Sequence, residues 1–192
     1  MTRRLPLIPT ILVLGAVGVM LWLGLWQLDR REQKAALLAH YQAAVTMSAE
    51  VPFPADDRAA EALLYRHARL TCVKASGISS MAGSNAAGEA GLAVTAECDL
   101  DSGNATTVVL GWSRAPVSPE WPGGEVRGVI APPDHNGPRL IASPPLAGLE
   151  ANALPDPSDI PDNHLAYAVQ WFFFAATAIV IYWLALRRRE RR

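Results

Sequence analysis

LPLIPTILVLGAVGVMLWLGLWQL (5–28) is an uncharged apolar stretch near one end of the chain, and AYAVQWFFFAATAIVIYWLAL (166–186) is a second near the other end. An α-helix of roughly 20 residues crosses the hydrocarbon core of a bilayer, and both stretches reach that length. The sequence therefore predicts a membrane protein with two transmembrane α-helices, over 5–28 and 164–186. The polar chain between them would lie on one side of the membrane.

Basic residues beside the two stretches indicate their orientation, because Lys and Arg next to spans favour the cytoplasmic side. Both stretches have arginines at their outer ends: Arg3, Arg4, Arg187, Arg188, Arg189, Arg191 and Arg192. We therefore predict that the N-terminus (1–4) and an Arg-rich tail (187–192) are cytoplasmic. The region 29–163 would then be a periplasmic domain.

A second basic cluster argues against this orientation. Arg30, Arg31 and Lys34 follow the first span on the side predicted to be external. The charge rule is weak for loops longer than about 60 residues, however, and this loop is longer. Asp29 and Glu32 also offset part of the charge, so we keep the predicted orientation.

A cleaved signal peptide is the alternative interpretation of the first stretch, since its basic start fits any exported protein. The apolar run is too long for a signal peptide, and no small-x-small cleavage site closes it. We therefore expect an uncleaved anchor. No Ser/Arg-rich presequence precedes the stretch, which favours the inner membrane of a bacterium over a mitochondrial location.

The small net charge of −1 conceals a division along the chain. Residues 29–163 hold 10 Lys and Arg against 17 Asp and Glu, whereas the two ends hold 7 Arg against one Glu. An acidic external domain is a poor surface for the phosphates of nucleic acid. The expected first partner is membrane lipid, and nucleic acid is excluded.

The external region has the pattern of a small, mainly β (α+β) domain. Good helix formers over 29–44 predict that the first helix continues outward by several turns. Partial alternation and turn signals predict strands over 61–73, 92–100, 105–112, 125–130 and 139–142, with a hairpin turn at 101–104. The Gly/Ser/Ala/Asn-rich region 76–91 predicts a long flexible loop, and 144–161 a proline-rich connector.

Cys72 and Cys98 both fall in the external region, where an oxidising compartment would preserve a disulfide. Two cysteines on neighbouring strands could bridge, and two unpaired thiols are the alternative. Their spacing has no CxxC character, which argues against a thioredoxin-like or copper-chaperone role.

Signatures of common enzymes are missing from the sequence, which contains no GxSxG, HExxH, P-loop or GxGxxG motif. The four histidines are His40, His67, His135 and His164, and no two of them have the i, i+4 spacing of a helical metal site. A membrane-anchored enzyme such as a haem-modifying oxygenase would need several intramembrane histidines. We therefore do not expect an enzyme.

His164 stands apart because of its place in the first turn of the second span, with Asp162 or Asn163 as the expected N-cap. Helical spacing puts six residues on one face: His164, Ala168, Trp171, Ala175, Ala178 and Tyr182. The three alanines would allow close approach of a flat ligand or of the other helix. His164 is thus either a metal ligand or an interfacial histidine that forms hydrogen bonds near the headgroups.

The outer end of the first span carries Trp22, Trp26, Gln27, Arg30 and Arg31, at the same predicted membrane depth as His164. One interpretation is an aromatic belt with arginines that reach headgroup phosphates. The other is a haem site, with the iron on imidazole and the propionates on Arg30 or Arg31. Topology and residue type alone leave both open.

These segments resemble the surfeit-locus-protein-one family of cytochrome c oxidase assembly factors. GLWQLDRREQK (24–34) is similar to the motif at the end of the family's first span, and NHLAYAVQWFFFA (163–175) to the opening of its second. Tyr65-Arg66 and VVLGWSRAP (108–116) resemble two family strands more loosely. Val109-Leu110 departs from the family pattern, because a polar Asn-Arg pair usually precedes the Gly-Trp.

The resemblance implies a non-catalytic role in building the haem-a-containing subunit of the oxidase, by binding haem a or aiding its insertion. His164 would then be the axial ligand of the haem iron. Five further residues would line the haem pocket or contact a partner: Trp26, Gln27, Arg30, Tyr167 and Trp171. The implied partners are the catalytic subunit of the oxidase and haem a synthase. The alternative is a membrane scaffold that holds the nascent subunit without binding haem.

Overall fold

A computed structural model describes residues 6–54, 56–134 and 137–190. Several residues named in the sequence predictions lie outside these ranges: Arg3, Arg4, Leu5, His135, Arg191 and Arg192. The chain divides into two compact units, a helix pair (Met1–Leu38 with Ile160–Arg192) and a barrel unit (Ala39–Asp159).

The helix pair consists of the long helix α1 (Leu7–Val45) and helix α3 (His164–Glu190). By length and composition, both helices could cross a membrane, which agrees with the two predicted spans. Helix α1 continues without a break beyond Leu28, so the predicted helical extension over 29–44 is confirmed.

Helices α1 and α3 run antiparallel and pack along one face of each. The side chains of Thr10 and Tyr182 are hydrogen-bonded at one end, and Gln27 and His164 are at the other. Ala168 and Ala175 are the buried positions of α3. The predicted face of α3 therefore faces α1, because small side chains let two helices approach closely.

The barrel unit contains one short helix, α2 (Asp57–Leu63), in addition to the last turns of α1. Tyr41 and Ala44 of α1 are buried there, and the Tyr41 ring lies 5.0 Å from the ring of Tyr65. A 3₁₀ turn, Pro157–Asp159, lies in the connector that leads to α3. The strands are β1 (Val51–Pro52), β2 (His67–Ser84), β3 (Ala90–Leu100), β4 (Ala105–Ser113), β5 (Gly124–Asp134) and β6 (Gly137–Ala142).

Five of the strands close into a ring in the order β2-β3-β4-β6-β5, because β5 returns to pair with the first half of β2. Strands β4 and β6 pair in parallel and the other pairs in the ring are antiparallel, while β1 adds a short parallel pair to β2. Three consecutive strands followed by one that returns beside the first form a Greek key. A five-stranded Greek-key barrel has the general architecture of OB-type domains, which by itself assigns no function.

The barrel is filled by apolar side chains that the alternation of the strands directs inward. Trp112 is only 1% exposed, and it is the largest of the fully buried side chains. Val109 and Leu110, which replace the polar pair of the family pattern, are also buried. Successive residues of a strand point to opposite faces, so both faces of β4 are covered.

The prediction of a flexible loop over 76–91 is wrong. Strand β2 continues to Ser84, and β3 begins at Ala90, with paired residues from Ser76 opposite Glu97 onward. The pairing rests on backbone hydrogen bonds, which small side chains do not prevent, and composition alone could not reveal it. The turn is held by Asn85, whose Oδ1 accepts hydrogen bonds from the backbone N–H groups of Ala87 and Glu89.

The strand predicted over 61–73 begins later, at His67, because its first three residues belong to α2. The Asp56 carboxylate caps that helix by accepting a hydrogen bond from the backbone N–H of Ala59 at 2.8 Å. From Ala68 onward the strand alternates as expected, with Ala68, Leu70 and Cys72 buried. The remaining predicted strands and the hairpin turn at 101–104 are confirmed, with strand ends that differ by up to four residues.

The two cysteines, left open by the sequence, are paired. Cys72 of β2 and Cys98 of β3 form a disulfide with their Cα atoms 5.4 Å apart. The bridge joins two neighbouring strands of the barrel close to the point where β2 leaves β5 and continues along β3.

Candidate functional site

His164 is the first residue of α3, and the chain before it is arranged to start the helix there. The carbonyl oxygen of Asn163 accepts a hydrogen bond from the N–H of Tyr167 at 3.1 Å, so Asn163 occupies the N-cap position. The carboxylate of Asp162 accepts one from the backbone N–H of His164 at 3.2 Å. These bonds confirm the predicted helix start and fix the backbone from which the imidazole projects.

The imidazole of His164 contacts the side chain of Gln27 on α1. Gln27 Oε1 lies 2.8 Å from His164 Nδ1. With the carboxamide oxygen facing the ring, this contact is a hydrogen bond when Nδ1 carries the proton, because a carbonyl oxygen only accepts hydrogen bonds. In neutral imidazole the other nitrogen, Nε2, then keeps its lone pair, which is the form that binds a metal ion.

Close packing one turn before Gln27 brings the two helices within reach of each other. Gly24 is buried, and a Cβ atom added to it would lie 2.5 Å from Cε1 of the Phe172 ring. Further along α1, the ammonium group of Lys34 donates a hydrogen bond to the carbonyl oxygen of Pro161, just before α3. Gly24 and Lys34 therefore fix the helix pair on either side of Gln27.

Arg30 follows Gln27 by three residues and lies on a neighbouring part of the helix surface. Its guanidinium group is exposed and donates a hydrogen bond to Gln33 Oε1 at 2.7 Å, while Gln33 donates to Asp29 at 2.8 Å. Arg30 thus remains a cationic group at the surface, about one turn from Gln27 along α1.

The three predicted aromatic residues differ in their surroundings. Trp26 is 45% exposed and Tyr167 is 51% exposed, so both present ring surface away from the helix pair. Trp171 is half-buried and meets Phe174 edge to face at 6.0 Å. The structure therefore brings Gln27 and His164 into direct contact, with Trp171 on the same face of α3 and Trp26 and Tyr167 outside.

Gly24 and Lys34 have positions that sequence reasoning did not assign to the site. Gly24 opens the quoted segment 24–34. It contributes to the site because it has no side chain and so leaves room for the Phe172 ring, and no chemical motif signals such a contribution. Lys34 ends the same segment, and it was otherwise considered only for its charge on the side predicted to be external. Its spacing of seven residues from Gln27, two helical turns, could have placed it on the same face.

Comparison with known proteins supports one family. A family model described as the SURF1 family matches residues 14–176, which include the helix ends that carry Gln27 and His164 and the whole barrel unit. None of the curated proteins matches the chain significantly. Because the match covers most of the chain, the protein belongs to the SURF1 family, a family of cytochrome oxidase assembly factors rather than of catalysts.

Proposed function

We propose that this protein acts in the assembly of haem-a-containing cytochrome c oxidase by binding haem a, and/or by aiding its insertion into the catalytic subunit. Haem a would be cargo that passes through the protein. The proposal includes a two-pass topology in a bacterial inner membrane, with the barrel unit in the periplasm and both termini in the cytoplasm. The family membership supports the general role, and the contact between Gln27 and His164 supports the finer one.

The single observation that carries the proposal is the imidazole of His164, which Gln27 holds by Nδ1 at 2.8 Å. Among the described residues, no three His, Cys, Asp or Glu side chains converge as a site for a bare metal ion. A haem does not need such a cluster, because its porphyrin supplies four nitrogen ligands and the protein adds only an axial one. One oriented imidazole therefore fits a haem better than a free metal ion.

The surroundings of His164 also fit the periphery of a haem. The guanidinium group of Arg30 could bind a propionate, and such charge-assisted hydrogen bonds are strong. Trp26, Tyr167 and Trp171 offer aromatic surface near the same end of the helix pair. The apolar outer faces of both helices suit the farnesyl chain of haem a, because they are exposed and lack charge.

The test is the visible absorption spectrum of the full-length protein, purified in detergent from cells that make haem a. We expect haem a in the wild type and its loss from His164→Ala. His40→Ala is the matched control, since His40 is an exposed histidine of α1 that contacts the carbonyl oxygen of Ala62. Haem a retained by His164→Ala, or absent from a folded wild type, would contradict the proposal.

A scaffold that holds the nascent oxidase subunit without haem is the second candidate. The observation that favours it is the exposure of Trp26 and Tyr167, which a partner helix could cover. The scaffold predicts that His164→Ala leaves oxidase assembly intact, whereas Trp26→Ala with Tyr167→Ala reduces it. The haem a content of the assembled oxidase separates the two. Copurification of haem a synthase, the other proposed partner, would favour a haem-handling role.

A further inference from the structure

Gln27 contacts His164 directly, and this role differs from lining the haem pocket. Its carboxamide oxygen is directed at Nδ1 of His164, on the ring side opposite the nitrogen that would meet a metal ion. We infer that Gln27 is a positioning residue, which fixes the tautomer and the ring orientation of His164 so that Nε2 is presented as the ligand atom. This inference rests on the proposed function, because it states how the axial ligand of that site is prepared.

The contact with Gln27 determines which nitrogen of the His164 ring carries the proton. Free neutral imidazole can carry its proton on either nitrogen, and the hydrogen bond made by one nitrogen decides which of them is left as a ligand. The oxygen of Gln27 can only accept, so it selects the tautomer protonated at Nδ1. Without it, the proton could occupy Nε2 and block that atom as a ligand.

The same contact determines the direction of the imidazole ring. The backbone of His164 is fixed by the bond from its N–H to Asp162 at 3.2 Å, which leaves the side-chain torsions to be set. The bond to Gln27, on a different helix, removes that freedom. Groups that orient a ligating histidine typically contribute about 10- to 100-fold to metal affinity.

The contact between Gln27 and His164 depends in turn on the distance between the two helices. The oxygen of Gln27 reaches the imidazole because Gly24, one turn earlier, allows the Phe172 ring to lie against the α1 backbone. The contact between Gln27 and His164 therefore depends on the packing of two helices. The bond from Gln33 to Asp29, in contrast, is exposed and lies within α1.

The experiment compares Gln27→Leu with the matched control Gln33→Leu, in which an exposed glutamine of α1 that does not contact His164 is changed in the same way. The full-length protein is labelled with ¹⁵N-histidine, purified without haem, and studied at alkaline pH by long-range ¹H–¹⁵N correlation spectroscopy. His164→Asn assigns the signal. We expect the proton on Nδ1 in the wild type and in Gln33→Leu, and on Nε2 in Gln27→Leu.

Gln27→Glu is the conservative variant, because it keeps an acceptor oxygen at the same reach. It should retain the proton on Nδ1 and the haem affinity of the wild type, whereas Gln27→Leu should bind haem about 10- to 100-fold more weakly. A wild type protonated at Nε2, or an unchanged tautomer in Gln27→Leu, would overturn the role of Gln27. Haem a absent from all variants would instead overturn the proposed function, since the tautomer is measured without haem.

Discussion

At the scale of single residues, the carboxylate of Glu89 shows how local contacts set the response of the barrel unit to pH. The Asn85 amide donates to it at 2.9 Å, and the Arg114 guanidinium donates at 3.0 and 3.1 Å. Both donors favour the ionised form, so they hold the pKa of Glu89 below its usual value. A carboxyl whose pKa is lower in the folded than in the unfolded state stabilises the fold above the unfolded pKa.

We therefore predict that Glu89→Gln lowers the thermal midpoint of the barrel unit at pH 7. The stabilisation by Glu89 should be lost as the pH falls below the ordinary carboxyl pKa of about 4.3 and through the lower folded value. The midpoint difference between the full-length wild type and variant should therefore shrink as the pH falls below that ordinary value. The ion pair is exposed, so the expected difference is small. Glu120→Gln is the control, and a midpoint difference that does not depend on pH would contradict this explanation.

At the scale of secondary-structure elements, the pairing of α1 with α3 depends on which glycine faces the partner helix. Gly24 lies against Phe172, whereas a Cβ atom added to Gly18, on the same helix, would meet no described atom within 4 Å. We predict that Gly24→Leu pushes the helices apart, at a cost of about 1–3 kcal/mol for overpacking, and breaks the bond between Gln27 and His164.

Gly18→Leu is the matched control, since the same side chain would point away from α3. The protonated nitrogen of His164, read by ¹⁵N correlation spectroscopy, reports the outcome. Gly24→Leu should move the proton to Nε2 and Gly18→Leu should leave it on Nδ1. Equal effects of the two variants would show that helix contacts do not decide the geometry of the site.

The elements also show what could be predicted from the sequence. Uncharged apolar length determined α1 and α3, and the turn signal at 101–104 between two strand-like runs determined β3 and β4, so these were found. The second half of β2, from Ser76 to Ser84, was missed because small residues pair through the backbone without an apolar pattern. Helix α2 was missed because it has only seven residues and its start depends on one N-cap residue, Asp56.

The candidate site was also predictable only in part. Span length and orientation placed Gln27 and His164 at one membrane depth. Depth does not determine how each helix is rotated about its axis, and that rotation decides which side chains meet. The contacts between the helices, such as the packing of Gly24 on Phe172, settle the rotation, so the hydrogen bond itself could not be derived from spacing.

At the scale of the whole molecule, the proposed topology assigns each part of the chain to a compartment. The two apolar helices would lie in lipid, and the acidic region between them would lie outside. Near the end of α3, the guanidinium group of Arg187 lies 3.7 Å from the centre of the Trp183 ring. Such a pair of aromatic and cationic residues is typical of a membrane–water interface, which supports a membrane boundary at that end of α3.

The disulfide gives this topology a direct test. Disulfides persist in the periplasm and are rare in the reducing cytoplasm, so an external barrel unit should contain Cys72 and Cys98 in oxidised form. In cells producing the full-length protein, both thiols should react with a maleimide only after reduction. Protease added to spheroplasts should cleave the region between the helices, whereas inverted vesicles should protect it. Free thiols together with protection in spheroplasts would place the barrel unit in the cytoplasm.

The same bridge should also contribute to the stability of the barrel unit. It closes a loop with a sequence separation of 26, for which the chain-entropy model gives about 3.5 kcal/mol. We predict that Cys72→Ser with Cys98→Ser lowers the free energy of unfolding of the full-length protein by roughly that amount, measured with denaturant in detergent. Treating the wild type with a reductant should lower it similarly and leave the double variant unchanged. A reductant that destabilises both proteins equally would show that the loss does not come from this bridge.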